Sequence, residues 1–102
     1  MARSAAYRKY QITINNPADN GFTHDIIKNI LSGMTGCLYW CMCDEIGHQG
    51  TPHTHLYVVF KNAVMFQTMQ QRFYGAHIED ARGTHRENRD YIRTVSYTHL
   101  RA

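Results

Sequence analysis

The chain contains no apolar run near the roughly 18 residues that a membrane-spanning helix needs, and residues 1–9 lack the apolar stretch of a secretory signal. An intracellular protein is expected. Cysteine is scarce: Cys37, Cys41 and Cys43 are an odd number crowded along one short stretch, which argues against a disulfide framework and for reduced thiols. No G-x-x-x-x-G-K-[ST] phosphate loop occurs, so these residues hold no P-loop nucleotide site. Internal repeats and low-complexity tracts are missing as well.

What is present is ordinary globular sequence. At 102 residues, 43% hydrophobic and 19% charged, the chain has the size and composition of one folding domain. Its net charge of +3 and pI near 8.9 make it mildly basic. The cations are grouped: Arg3, Arg8 and Lys9 lie at the start, and Arg82, Arg86, Arg89 and Arg93 crowd the last predicted helix. Such grouping suits a polyanionic partner, although a solvated charged surface has the same composition.

Residues 7–14 alternate, with Tyr10, Ile12 and Ile14 on one face and Lys9, Gln11 and Thr13 on the other, as a half-buried strand requires. Asn15-Asn16-Pro17 ends it. Thr23 caps a predicted helix whose apolar positions are Ile26, Ile27, Ile30 and Leu31, stopped by Gly33 and Gly36. Residues 37–45 and 56–60 read as two strands of a hairpin, joined by a segment containing glycine and proline. Met65, Phe66, Met69 and Phe73 mark a second helix, and a short strand follows over residues 77–79. Thr84 and Glu87 have capping-box spacing, which predicts a last helix running through Tyr91. The order βαββαβα predicts an α+β domain, an antiparallel sheet with helices packed on one face and the other face partly open.

His53 and His55 are two apart in a strand, so both imidazoles leave the same face while Thr54 leaves the opposite one. If the hairpin closes as drawn, Glu45 is carried back beside His53. A carboxylate and two imidazoles with open positions suit Mg²⁺ or Mn²⁺ acting as a Lewis acid on phosphate. Two other readings of the same residues stand. The histidines fit ordinary half-exposed strand positions, and Cys41 and Cys43 share parity with Glu45, which admits a zinc site with His53 and His55. Tyr91 in a helix packs in most proteins; it becomes a nucleophile only where the helix lies over the open face of the sheet.

Three stretches in this order, Ile12-Thr13-Ile14-Asn15-Asn16-Pro17, His53-Thr54-His55 and Asp90-Tyr91-Ile92-Arg93, resemble the motifs of a known family. It is that of the HUH-type replication initiator (Rep) endonucleases of small circular single-stranded DNA viruses, circoviruses among them, and of related plasmids. Residues 75–84 also resemble the family's stretch before its catalytic helix. The resemblance implies a ferredoxin-like fold, Glu45, His53 and His55 as ligands of Mn²⁺ or Mg²⁺, and Tyr91 as the nucleophile. The implied reaction is cleavage of single-stranded DNA in the loop of an origin hairpin, the start of rolling-circle replication. Arg8, Lys9, Asn15 and Asn16 would contact the strand, and Tyr57 would stack on bases.

Two residues depart from the pattern: Thr54 stands where a hydrophobe is usual, and Thr94 where the family has lysine. Residues 95–102 resemble no part of the family, so the endonuclease domain is expected over 1–94, followed by a non-native or truncated tail. A helicase domain is expected in a full-length relative and is absent from this sequence. The expected location is the host nucleus for a eukaryotic virus and the cytoplasm for a bacterial plasmid or phage. A non-catalytic RNA-recognition-like module, or a transposase or relaxase with the same metal logic, shares parts of this pattern.

Overall fold

A computed structural model describes residues 5–47, 49–81, 83 and 85–94, the side chains of residue 85 and of 91–94 excepted. The chain runs β1 (Ala6–Asn15), α1 (His24–Ser32), β2 (Cys37–Ile46), β3 (Pro52–Met65), α2 (Phe66–Arg72), β4 (His77–Asp80) and α3 (His85–Thr94). The predicted element order and the α+β class are both met. The strands form one antiparallel sheet in the order β2-β3-β1-β4, with β3 and β1 at its centre.

Alternation in β1 sends Tyr10, Ile12 and Ile14 into the main core, where they meet Ile27 and Leu31 of α1, Phe66 and Met69 of α2, and Phe73. Each such side chain contributes about 1.5–3 kcal/mol through burial, so this face holds most of the apolar stabilisation. Thr23 caps α1 as predicted, its hydroxyl accepting from the Ile26 N–H at 3.3 Å.

α3 lies elsewhere. It contacts β2 and β3 on the opposite face, above a smaller core of Cys41, Cys43, Tyr57 and Ala81. The sheet is therefore covered on both faces, by α1 and α2 on one and α3 on the other, not by helices on one face alone. β3 is also longer than its apolar stretch of 56–60, because it pairs with a neighbour on each side. The ladder continues through His53, Thr54 and His55, which carry no hydrophobic signal. Thr84 of the expected capping box and residues 95–102 lie outside the described residues. Glu87 does reach back: its Oε1 lies 2.6 Å from where a Cβ on Gly83 would stand.

Candidate active site

One face of β1 organises the site at two-residue intervals, since alternate residues of a strand share a face. Lys9 donates from Nζ to the Gly83 carbonyl at 2.7 Å, which ties the segment before α3 to the sheet. Gln11 donates from Nε2 to Asn88 Oδ1 at 2.9 Å, which docks α3 itself. Thr13 Oγ1 stands 3.4 Å from Nδ1 of His55, and Asn15 pairs across the ladder with His53.

β2 closes the other side. Register pairs Glu45 with His53 and Cys43 with His55, but the side-chain contact of Glu45 runs diagonally: its Oε1 is 2.8 Å from Nε2 of His55. That separation is a hydrogen bond between the imidazole and the carboxylate. The His55 ring is thus oriented from both nitrogens, by a carboxylate on one side and a hydroxyl on the other, the arrangement that fixes ring direction in metal sites. His53 stacks parallel to it at 6.1 Å between ring centroids, with Nε2 turned toward Gly47.

The structure therefore hydrogen-bonds Glu45 to His55 and sets His53 directly opposite Glu45 in the ladder. No three His, Cys, Asp or Glu side chains among the described residues are gathered into ligating geometry. The donor types fit a hard divalent cation: Glu45 and His55 converge, and His53 leaves the same face of β3 as His55. Cys41 and Cys43, the rival ligands, are buried beneath α3 in the smaller core.

Tyr91 belongs to α3, the helix laid over this face; its side chain and that of Thr94 lie outside the described residues. Asn15 and Asn16 sit at the site end of β1. Asn16 adopts φ 48°, and its N–H donates to the Pro52 carbonyl at 2.8 Å, so the Asn-Asn-Pro stretch shapes the turn next to the histidines. Arg8 is exposed and donates from Nε to the Phe60 carbonyl at 3.4 Å. It lies seven positions from Asn15, about 23 Å along an extended strand. The expected DNA contacts are thus divided between the two ends of β1.

Tyr57 corrects an expectation. It is 0% exposed, packed with Cys41, Cys43, Tyr39 and Val59, so no base can stack on it. Burial pushes its phenol above the ordinary value, as it does for Tyr39.

Sequence reasoning missed Gln11, Thr13 and Asn88 as organisers, and His77 and Glu79 of β4, which are exposed and joined at 2.6 Å. The signal was available for the strand residues: they share parity with Lys9, and the register sets His77 opposite Thr13.

Residues 7–94 match the family model described as "Putative viral replication protein". The chain is similar to the replication-associated protein of Pigeon circovirus, with 32% identity over 87% of this chain and 27% of that protein. It is similar also to those of Canary circovirus, at 29% identity over 87% and 29%, and of Beak and feather disease virus, at 31% over 82% and 28%. The chain spans under a third of the length of these relatives. It belongs to the viral replication protein (Rep) family, with circovirus-like relatives.

Proposed function

We propose that this domain nicks and rejoins single-stranded DNA at an origin stem-loop and so starts rolling-circle replication inside the host cell. One observation carries the reading. Glu45 and His55 meet at 2.8 Å, with His53 stacked beside them, on the sheet face over which α3 lays the segment containing Tyr91.

Tyr91 acts as the nucleophile. Its phenol oxygen, having given up its proton, bonds to phosphorus as the bond from phosphorus to the 3′ oxygen breaks. The 3′ oxygen takes up a proton and leaves as a free hydroxyl, and the 5′ phosphate stays on the protein as a phosphotyrosine ester. Attack by a 3′ hydroxyl on that ester reverses the step and joins ends. Ester bonds are conserved in number, so no nucleotide hydrolysis is needed. Mn²⁺ or Mg²⁺, when bound by Glu45, His53 and His55, supplies Lewis-acid polarisation of the scissile phosphate. Thr13 and Glu45 hold the His55 ring in place for that role, and Asn15 and Asn16 border the path of the strand. In a full-length protein a helicase domain would act on the released strand.

The test is an end-labelled hairpin oligonucleotide incubated with the protein and Mn²⁺. A protein–DNA adduct that survives denaturation is expected, lost with EDTA and in Tyr91→Phe. Binding without cleavage in any divalent metal would instead mark a non-catalytic nucleic-acid module.

A further inference from the structure

Behind the histidines, on the face toward α1, a second set of side chains crosses the same two strands. Thr54 is 0% exposed, and its hydroxyl donates to Asp44 Oδ1 at 2.8 Å. The same Oδ1 lies 2.9 Å from Nε2 of His24, the first residue of α1. Asp44 and Thr54 are directly paired in the β2–β3 register, immediately beside the pair Glu45 and His53. A hydrophobe at position 54 could not make the first of these contacts, so the departure noted in the sequence has a partner in Asp44, which His24 also holds.

We propose that Thr54, Asp44 and His24 are positioning residues that fix the end of β2 against β3, and so align Glu45 with His55 on the opposite face. The inference rests on the reading of Glu45 and His55 as metal ligands. Its physical basis is the two-residue period of a strand. Neighbours point to opposite faces, so a side-chain clamp at 44 and 54 restrains the backbone from which Glu45, His53 and His55 project. The ladder ends a few residues later at the turn, and Ile46 is 66% exposed, so packing alone restrains this end of β2 little. α1 adds a third anchor through His24, which connects the helix layer to the site without touching it.

The test is Mn²⁺ affinity, read from the electron paramagnetic resonance signal of the free ion, on folded protein well below its melting temperature. Thr54→Val keeps the shape and removes the hydroxyl; it should weaken Mn²⁺ binding about tenfold, the low end of the effect of outer-shell partners. Thr54→Ser should bind as the parent does. His24→Ala should weaken binding less, and its half-exposed side chain makes it the variant to use should Thr54→Val fail to fold. Unchanged affinity in both, whatever the melting temperature does, overturns the proposal. If the parent protein binds no Mn²⁺, or Glu45→Gln binds it equally well, the metal reading itself fails and this inference falls with it.

Discussion

Gln11 Nε2 donates to Asn88 Oδ1 at 2.9 Å, across 77 positions of sequence, and Asn88 is only 6% exposed. This contact joins the central strand to the helix that carries Tyr91 three residues further on. Gln11→Leu removes the donor and should cost about 1 kcal/mol in urea denaturation, the usual worth of such a bond. The double variant with Asn88→Leu should cost less than the sum of the two single changes, because the two share one interaction. Adduct formation should fall by more than the loss of folded protein accounts for.

Asn16 at φ 48° occupies a left-handed conformation that asparagine and glycine adopt readily and β-branched residues do not. Asn16→Gly should leave stability nearly unchanged, whereas Asn16→Val should cost about 1–2 kcal/mol. Chemical denaturation of the two variants checks this. Equal stability would mean that the turn does not require the left-handed conformation.

The phenols of buried Tyr57 and half-buried Tyr39 give a pH dependence of fixed sign. Desolvation disfavours the phenolate, so the folded chain keeps these protons above the ordinary value of 10.0, where the unfolded chain releases them. The folded state then binds more protons, and stability falls as pH rises. The contribution is complete below pH 10 and is lost through the higher folded values. Cys37, raised by burial from 9.0, acts in the same direction from a lower starting point. Denaturation midpoints measured from pH 8 upward should decline in the parent and decline less in Tyr57→Phe.

Ligand binding to the folded state alone raises its stability by mass action, about 2.7 kcal/mol at a hundredfold excess over Kd. Mn²⁺ should therefore raise the melting temperature of the parent, and EDTA should reverse the gain. Glu45→Gln and His55→Ala should show little rise. His53→Ala should show an intermediate one, since His53 stands beside the Glu45–His55 contact and outside it.

The fold was legible where local pattern and tertiary demand agree. β1 alternates because one face meets the core, and α1 is bounded by the cap that Thr23 supplies. Legibility failed where partners decide. Polar residues extend β3 because strands on both sides continue the ladder, and α3 chose the opposite face through long-range contacts such as Gln11 with Asn88. At the site, strand parity was enough to place His53 and His55 together. It could not show that Glu45 reaches diagonally to His55, nor that α3 covers Tyr57, because both depend on where distant segments come to rest.

The central claim is that one particular phenol becomes joined to DNA. Seven tyrosines are available, so locating the adduct is more decisive than detecting it. The DNA-linked protein should be digested with nuclease and trypsin and analysed by tandem mass spectrometry. The account predicts a nucleotide phosphate on Tyr91 in the tryptic peptide 90–93, formed only with Mn²⁺ or Mg²⁺. A nucleotide on exposed Tyr74 or any other residue, or a nicked product with no tyrosine attached, would contradict it.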